Sequence, residues 1–246
     1  MDQIRISAKN LGQTALADFC PRCYWIKLKL NFKLPWQSFP GIFSSIDAYT
    51  KSCVHHIIDS SNERQDTRSV KSAGSYYEYP DWMKQIGDVI GYETVPHWSK
   101  NKYHDEKSNI TFQGSQDDIF VLADGTRCCP DYKTAKHTDT QDKLFPMYEI
   151  QSNVYGILMG DNPKLCLVYM EPDTDKSSAC DNIIDQGFRM CFNAVVVPIE
   201  NDKKKVRQAL AVTRDVYESA TPPQGNSDCK DCQALDKVMK VMGVLK

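Results

Sequence analysis

Apolar positions in the first third of the chain recur with helical spacing and predict two helices. Leu16, Phe19 and Cys20 suit one helical turn, which Pro21 interrupts because it lacks a backbone N–H. The stretch 44–59 predicts a longer helix with one buried face. The residues expected on that face are Ile46, Tyr49, Cys53 or Val54, and Ile57. Residues 60–108 are polar with scattered aromatics, and predict surface structure with one short helix at about 81–91.

The pattern changes to strands after Asn109. The runs ITF, DDIFVL and TRCCPDYK predict strands, and the turn residues Ala123-Asp124-Gly125 join the last two as a hairpin. A helix follows, which begins near Pro146 and ends at Gly160. The runs LCLVYME and MCFNAVVVPIE predict two further strands.

An amphipathic helix is predicted at 202–220. Its apolar face is formed by Val206, Ala209, Leu210, Val216 and Tyr217, with Thr213 as the polar exception. This order of elements predicts an α/β or α+β fold with a central mixed sheet flanked by helices. No repeat or low-complexity linker divides the chain, so 1–246 is predicted to form a single domain with a cysteine-rich cap.

Composition and charge exclude several classes of protein. Of the 246 residues, 41% are hydrophobic and 25% charged, which argues against disordered, collagen-like and coiled-coil chains. The net charge of −2 excludes a histone-like polycation, so any nucleic-acid site must be a local basic groove. No apolar run approaches the roughly 18 residues of a membrane span, and the N-terminus does not resemble a signal peptide. We therefore expect a cytoplasmic protein without a membrane partner.

The segment GSQDDIFVLADGTRCCPDYKTAK contains the strongest candidate chemistry. Asp117 lies before the predicted hairpin, and Asp131 and Lys133 lie on one face of the returning strand. Two carboxylates suit a hard Mg²⁺ or Mn²⁺ ion, and a nearby lysine can neutralise charge on a phosphate. Asp118 is the competitor for Asp117, and strand alternation turns the two side chains to opposite sides. The sequence does not show which of them faces Asp131, so the preference for Asp117 comes mainly from the motif order given below. The alternative is a solvated hairpin with surface ion pairs worth under about 1 kcal/mol.

The next predicted helix adds two polar candidates. Gln151 and Tyr155 lie on the same helical face as Tyr148 and Leu158, which makes Gln151 an amide on an otherwise aromatic and apolar face. A buried amide requires hydrogen-bond partners, so both residues are candidates for the edge of a pocket. The alternative is a boundary glutamine and a core tyrosine.

Ten cysteines include two CxxC pairs, Cys20 with Cys23 and Cys229 with Cys232. Four thiolates suit a tetrahedral zinc ion or a 4Fe–4S cluster, and sequence spacing does not separate the two. Such a site would join the N-terminal segment, about 14–36, to the C-terminal segment, about 221–246. The alternative is four free buried thiols.

The ordered set Gly114-x-x-Asp117, Asp131-x-Lys133-Thr134 and Gln151-x-x-x-Tyr155 resembles the core of the PD-(D/E)xK nuclease superfamily, in its RecB-like branch. The paired CxxC motifs are also similar to the iron–sulfur members of that branch, the CRISPR-associated exonucleases and the AddB-type nuclease domains. The resemblance spans about 14–232, most of the chain.

This resemblance implies a restriction-endonuclease-like core and Mg²⁺- or Mn²⁺-dependent cleavage of DNA. Asp117, Asp131 and the Tyr132 carbonyl would be the metal ligands. Lys133 would be the catalytic lysine, with Gln151 and Tyr155 auxiliary, and the four CxxC cysteines would hold a 4Fe–4S cluster. We expect an exonuclease acting on single strands or ends, with protein partners in a repair or CRISPR complex. The alternative is a catalytically silent DNA-binding or scaffold subunit with the same fold.

Two features differ from the family pattern. The histidine common in the early helix is replaced by Ser45, with Asp47, His55 and His56 as substitutes, and the cysteines are arranged two and two instead of one and three. Basic residues among aromatics are the expected contacts for single-stranded DNA. One such stretch lies between Arg22 and Lys33, with Tyr24, Trp25 and Phe32 among the cations, and a second basic run is Lys203, Lys204 and Lys205. The alternative for both stretches is a solvated protein surface.

Overall fold

The computed structural model of the chain describes residues 2–34, 40–65, 79–138, 143–177 and 179–244. The helices in these ranges are α1 (Ala8–Gly12), α2 (Pro21–Lys29), α3 (Gly41–Gln65), α4 (Asp81–Ile86), α5 (Phe145–Met159), α6 (Lys203–Glu218) and α7 (Lys230–Val241). The strands are β1 (Ile4–Ser7), β2 (Val89–Tyr92), β3 (Lys102–Asp105), β4 (Ile110–Gln113), β5 (Phe120–Leu122), β6 (Arg127–Lys133), β7 (Lys164–Pro172), β8 (Ile183–Ile184), β9 (Gly187–Phe188) and β10 (Phe192–Ile199).

The larger sheet has five strands in the order β10-β7-β6-β5-β2. Strands β6 and β7 are parallel, whereas the other neighbouring pairs are antiparallel. The parallel pair arises because α5 connects β6 to β7, and parallel strands require a crossover connection of this kind. The predicted hairpin joins β5 to β6 and turns at Gly125, where φ is 80°. The predicted α/β fold with a mixed sheet flanked by helices is confirmed.

Strand β6 lies in the middle of the sheet and is buried on both faces. Alternate residues of a strand point to opposite sides. Cys129 belongs to a core that includes residues of α1, α5 and α6, while Cys128 and Tyr132 belong to a second core that includes residues of α3 and α4. Asp131 and Lys133 share the strand face of Cys129, so they point toward the side covered by α5.

A second sheet has three strands in the order β1-β4-β3, with β1 parallel and β3 antiparallel to β4. Its inner face contributes Ile4, Ile6, Ile110 and Phe112 to the first core. Arg214 of α6 anchors this sheet, because its guanidinium donates to the carbonyls of Asp2, Ser108 and Asn109 at 3.1, 2.7 and 2.8 Å. Strand β4 ends at Gln113 and leads directly into the loop 114–118.

The predicted helices in the second half of the chain are confirmed. Helix α5 has Pro146 in its first turn and is followed by Gly160 in the left-handed region, at φ 83°. Helix α6 buries the predicted apolar face, and its polar exception has a structural reason. The Oγ1 of Thr213 donates to the Ala209 carbonyl at 2.8 Å and accepts from the Tyr24 hydroxyl at 2.9 Å, deep in the core.

Two predicted helix positions are wrong, and a proline and a glycine explain them. Leu16, Phe19 and Cys20 lie outside any helix, because Pro21 begins α2 instead of interrupting an earlier turn. Its fixed φ and missing N–H suit the first helical position. The helix predicted at 81–91 ends at Ile86 and is followed by β2. Gly87 separates them with φ 138°, a conformation that residues with a Cβ rarely adopt.

The buried face predicted for α3 is also wrong in part. Tyr49 is exposed, whereas Val54, one of the two alternatives at that position, is buried, as is Ile58, which was not predicted. Ile46 and Ile57 are half-buried. The reason is that α3 packs its second half against β2 and the core beneath it, while the first half leaves most of its apolar side chains uncovered. Burial therefore depends on where the helix meets the sheet, which helical periodicity does not specify.

Some strand boundaries differ from the sequence prediction. Strand β5 begins at Phe120, so the two acids of the run DDIFVL precede the strand and lie in a loop. Strands β1, β2, β3, β8 and β9 were not predicted. Strand β3 reads KYHD and has no apolar run because it is an edge strand with three of its four residues exposed. The helices of the described ranges are all too short or too polar to cross a bilayer. Parts of the predicted surface segment and of both terminal segments, at 35–39, 66–78 and 245–246, lie outside the described residues.

Candidate functional site

The predicted acids, lysine and auxiliary residues come together where β6, the loop 114–118 and α5 meet. We call this group the carboxylate cluster; its members are Asp117, Asp131, Lys133, Gln151 and Tyr155. Lys133 forms an ion pair with Asp131 two residues before it on β6, and its Nζ lies 4.2 Å from the centre of the Tyr148 ring. The lysine is therefore held between a carboxylate and an aromatic face, a position that suits a cation.

Asp117 reaches the cluster from the loop after β4. Strand β5 pairs with β6 only at Arg127 and Cys128, which leaves the rest of that edge of β6 open. The Asp117 carboxylate occupies part of this edge, since the backbone N–H of Tyr132 donates to its Oδ2 at 2.9 Å. The loop acid thus lies beside the strand that contains Asp131, although it reaches this position from a loop and not from the predicted strand. The Tyr132 side chain points to the opposite face of the sheet, so only its backbone faces Asp117.

Helix α5 contributes the amide and the phenol. Gln151 Nε2 donates to Asp131 Oδ1 at 3.1 Å and to the Tyr155 hydroxyl at 3.0 Å, whereas its buried Oε1 has no hydrogen-bond partner among the described residues. Gly114 lies against the Tyr155 ring, and a Cβ at position 114 would come within 2.7 Å of it. The glycine of the Gly114-x-x-Asp117 motif is therefore required for the loop to pack on α5.

Burial controls the electrostatics of the cluster. Desolvation raises the pKa of Asp131 to about 6, although the charge of Lys133 acts in the opposite direction, and the nearby charge of Asp117 adds to the increase. Desolvation also raises the pKa of Tyr155, so its hydroxyl stays neutral. A buried carboxylate with this pKa is costly to ionise without a cation, and two carboxylates in one place are a suitable ligand set for a divalent metal ion.

The structure adds a second lysine that the sequence did not predict. Lys51 of α3 donates to Asp117 Oδ1 at 3.0 Å and to Asp47 Oδ2 at 2.8 Å. The contact with Asp47 is an ordinary i,i+4 helix pair and could have been predicted from spacing. The contact with Asp117 joins two elements 66 positions apart, so only the packed fold brings them together.

The three substitutes for the family histidine, Asp47, His55 and His56, lie in different surroundings. His55 Nε2 lies 2.8 and 3.0 Å from the two carboxylate oxygens of Asp118, on the other side of β6 from Asp131. The Tyr132 hydroxyl donates to the same carboxylate at 3.1 Å. Asp118 is only 1% exposed, and desolvation raises its pKa even though His55 and Tyr132 stabilise its charge. Asp47 instead pairs with Lys51, and the His56 residue is exposed.

The four CxxC cysteines form a second site, the cysteine cluster. One ligand atom of each lies within 4.8 Å of the others, so the group can hold a metal ion. The closest sulfurs are those of Cys23 and Cys232 at 3.3 Å, and of Cys20 and Cys232 at 3.5 Å. The two motifs have the same local geometry: Cys20 and Cys229 are N-cap residues of α2 and α7, and their partners lie in the first turn. Helix N-termini favour thiolates, because their free N–H groups are electropositive.

Hydrogen bonds and burial act differently on these thiols. Burial tends to raise the pKa of Cys20, but backbone N–H groups of Cys23 and Asn226 donate to its sulfur, and the net result is a pKa of about 7. Burial raises the pKa of Cys232 to about 11. At neutral pH a group with both pKa values therefore still holds protons on some of its thiols, and metal binding would release them.

Other contacts hold the two ends of the chain together around the cysteine cluster. Arg22 of α2 forms a bidentate ion pair with Asp236 of α7, at 2.6 and 3.2 Å. Gly225 lies so close to the Cys232 sulfur that a Cβ would approach it to 2.8 Å. Asn226 Nδ2 donates to the Phe19 carbonyl at 2.9 Å. The N-terminal and C-terminal cysteine motifs are therefore part of one packed cap.

The basic segment between Arg22 and Lys33 is largely engaged within the protein. The Tyr24 ring is buried, and the Lys29 ammonium lies 3.8 Å from the centre of the Tyr217 ring. Lys27 donates to the Gln13 side chain at 3.0 Å, and Trp25 Nε1 donates to the Ser219 carbonyl at 2.9 Å. These contacts argue against this segment as the main surface for stacking bases.

Comparisons with known proteins add little to this geometry. No family model matches the chain, and no curated protein matches it. Among solved structures, the chain is similar to the crystal structure of SSO0001, with 15% sequence identity and a TM-score of 0.40 over 98% of this chain and 86% of that one.

Proposed function

We propose that this protein is a Mg²⁺- or Mn²⁺-dependent DNA nuclease that acts on single strands or on ends. The observation that carries the proposal is the convergence of Asp117, Asp131 and Lys133 with Gln151 on one side of β6. These residues come from a loop, a strand and a helix. If the acids and the lysine only formed surface ion pairs on a solvated hairpin, there would be no reason for a helix residue to contact them. The motif order that resembles the PD-(D/E)xK superfamily supports the same reaction.

The residues present fit a divalent cation. Asp117 and Asp131 supply hard carboxylate oxygens, and the resemblance adds the Tyr132 carbonyl as a third ligand. The buried Gln151 Oε1 is left to accept a hydrogen bond from a water molecule or other donor in the site. A bound divalent ion would supply electrostatic stabilisation of the phosphate and lower the pKa of a water molecule.

The side chains of the cluster have separable roles in this proposal. Lys133 provides a positive charge close to the carboxylates, where it can stabilise the negative charge that grows on a phosphate under attack. Gln151 fixes the orientation of Asp131 through its donated hydrogen bond. Tyr155 holds Gln151 in turn, and its neutral hydroxyl remains a hydrogen-bonding group at physiological pH.

One observation favours the alternative of a catalytically silent DNA-binding subunit. Each acid of the cluster is already paired with a lysine, Asp117 with Lys51 and Asp131 with Lys133. Internal neutralisation of this kind could replace a metal ion. The two functions differ in one requirement, because only the nuclease needs a divalent metal for turnover.

The test is cleavage of end-labelled single- and double-stranded DNA with Mg²⁺, with Mn²⁺ and without divalent metal. We expect metal-dependent cleavage that Asp117→Asn and Asp131→Asn each abolish, while both variants keep the circular-dichroism spectrum of the folded protein. DNA binding without cleavage under either metal would favour the silent subunit. Cleavage at the wild-type rate by both variants would contradict the proposed site.

For the cysteine cluster, the spacing supports a single tetrahedral ion such as zinc. Zn–S bonds of about 2.3 Å place the sulfurs of a tetrahedral site about 3.8 Å apart, close to the separations in this cluster. A 4Fe–4S cluster, which the family resemblance implies, holds its cysteines farther apart because an iron–sulfide cube lies between them. Metal analysis of anaerobically purified protein separates the two: one zinc and no visible absorbance is expected, whereas four irons with a brown colour would establish the cluster.

A further inference from the structure

We propose that the outer face of the three-stranded sheet binds a single strand of DNA and leads it to the carboxylate cluster. This inference rests on the proposed nuclease function and identifies a substrate surface for it. The face borders a cavity of about 540 Å³, which we call the sheet-face pocket. Its lining includes Arg5, Trp98, Lys102, His104, Thr111 and Gln113.

The pocket follows from the alternation of the small sheet. The inner face is apolar and joins the core, whereas the outer face carries cross-strand rows of polar and basic side chains. One row is formed by Arg5, Thr111 and His104, which are register partners across the three strands. In the next row Lys102 lies opposite Gln113. Two basic residues and a histidine are thereby collected on one small surface of a chain with net negative charge.

The charge on this surface is unpaired in the described part of the chain. No carboxylate lines the pocket, and neither Arg5 nor Lys102 forms an ion pair there. The contrast is with Arg22, Lys51, Arg127 and Lys205, each of which has an acidic partner. Arg5 on β1 and Lys102 on β3 have β4 between them, so they are two strand spacings of about 4.8 Å apart across the sheet. Two unpaired cations at this separation suit phosphates along a polyanion.

Trp98 adds the feature that favours an unpaired strand. Its side chain is 52% exposed at the rim of the pocket, beside the His97 ring at 5.3 Å between ring centres. An exposed tryptophan next to free cations matches the pattern by which proteins stack bases of single-stranded nucleic acid while binding the phosphates. A duplex would keep its bases paired and out of reach of this ring.

The pocket is connected to the carboxylate cluster by the chain itself. Gln113 is the last residue of β4, and the four-residue step from there to Asp117 spans at most about 14 Å, a distance of a few nucleotides. The loop that carries Trp98 is tied to the same step, because Asn101 Nδ2 donates to the Gly114 carbonyl and to Gln116 Oε1, both at 2.8 Å. Ser115 Oγ also donates to the Pro96 carbonyl at 3.2 Å. A strand bound in the pocket is thus directed toward Asp117.

The test measures binding of a fluorescent single-stranded DNA 12-mer to the full chain by anisotropy, without added divalent metal. The variants are the double substitution Arg5→Ala with Lys102→Ala, and the single substitutions Trp98→Ala and Trp98→Phe. The charge-matched control is Lys237→Ala with Lys240→Ala on α7, which removes two exposed lysines elsewhere. Thermal unfolding of each variant checks that the fold is retained.

We expect the pocket double variant to reduce the slope of log affinity against log salt by about 1.4, because each phosphate contact to a single strand contributes about 0.7. Trp98→Ala should weaken binding by about tenfold, and Trp98→Phe should retain most of the affinity, since a phenyl ring still stacks. The α7 control should bind as the wild type does.

The inference would be overturned if the wild type did not bind single-stranded DNA, or if the pocket and control double variants lost the same affinity. It would also be overturned if the wild type bound duplex DNA as tightly as single-stranded DNA and Trp98→Ala left that affinity unchanged. Because the measurement uses no divalent metal, it is independent of cleavage. Binding that follows the expected pattern in a protein that never cuts DNA would support this surface and reject only the nuclease.

Discussion

Gln151 Nε2 lies 3.1 Å from Asp131 Oδ1 and 3.0 Å from the Tyr155 hydroxyl, so one amide connects a buried carboxylate on β6 to a buried phenol on α5. The Gln151 Oε1 atom faces the same buried region without a partner among the described residues. Because the Gln151 amide carries no charge, its hydrogen bond fixes the orientation of the Asp131 carboxylate and does not neutralise its charge. Groups that orient a metal ligand typically contribute 10- to 100-fold to metal affinity or activity.

Gln151→Leu should therefore reduce metal-dependent cleavage by about 10- to 100-fold and raise the metal concentration needed for half-maximal rate. The matched control is Ser152→Ala, the next residue of the same helix, which is also buried and whose Oγ has no hydrogen-bond partner in the described part of the chain. Cleavage rates are measured over a Mn²⁺ titration. Equal losses in Gln151→Leu and Ser152→Ala would indicate that helix packing, and not the amide, is responsible.

The raised pKa of Asp131 predicts a pH dependence of stability. Burial raises this pKa to about 6, above the value near 3.9 of an unfolded chain, so the folded protein holds the proton more tightly. The stabilisation is complete below about pH 4 and is lost as the pH rises through about 6. In metal-free protein, Asp131→Asn should therefore gain about 2–3 kcal/mol relative to the wild type between pH 4 and pH 7.

Urea unfolding of both proteins at several pH values measures this difference. Asp124→Asn is the control, because Asp124 is exposed in the hairpin turn and has a lowered pKa caused by hydrogen bonds from Thr126. The free energy of unfolding of Asp124→Asn, relative to the wild type, should not increase as the pH rises. If the free energy of unfolding of Asp131→Asn differed from that of the wild type by the same amount at every pH from about 4 to 7, the predicted titration of Asp131 would be contradicted.

The pair formed by His55 and Asp118 predicts a role in stability on the other side of the sheet. Removal of the imidazole leaves a buried carboxylate with the Tyr132 hydroxyl as its remaining side-chain donor. His55→Ala should destabilise the protein by about 1–3 kcal/mol in urea unfolding. Adding Asp118→Asn should recover part of the loss, because the charge that lost its partner is then absent. Additive losses in the double variant would argue that the two side chains do not interact.

The cysteine cluster predicts a large effect of metal removal. A metal bound by Cys20 and Cys232 closes a loop of 212 residues, and a cross-link of that span is worth about 5 kcal/mol on the chain-entropy model. Cys229→Ser should therefore lower the melting temperature by roughly 10 °C or more and abolish stoichiometric metal binding. Cys180→Ser is the control, since Cys180 is exposed and outside the cluster. Unchanged metal content in Cys229→Ser would exclude this ligand set.

The sequence was sufficient where local chemistry determines structure. Pro146 and Gly160 mark the ends of α5, and the turn at Gly125 joins β5 to β6, because these residues restrict or permit particular backbone conformations. Asp117, Asp131 and Gln151 lie together as the motif order of the family resemblance implies. Strand alternation alone did not distinguish Asp117 from Asp118, because both acids precede β5 and lie in a loop. The cysteine motifs likewise met as expected, although they lie at opposite ends of the chain.

Other features depend on tertiary packing that a pattern does not encode. Lys51 reaches Asp117 only because α3 crosses the sheet at that point, and Tyr49 is exposed because the first half of α3 leaves its apolar side chains uncovered. Strand β3 has no apolar run because it lies at the edge of its sheet with most of its residues exposed. Tyr24 follows the same principle, because its ring is buried and its hydroxyl hydrogen-bonds to Thr213 although cations surround it in the sequence.

The most direct test of the central claim compares Lys133→Met with Lys136→Met in cleavage of end-labelled single-stranded DNA with Mn²⁺. Lys133 forms an ion pair with Asp131 in the cluster, whereas Lys136 is an exposed lysine three residues later. A positive charge that stabilises the reacting phosphate is lost only in the first variant, so its rate should fall by about 10²- to 10³-fold. Lys136→Met should cut at nearly the wild-type rate. Cleavage by folded Lys133→Met at the wild-type rate would contradict the account.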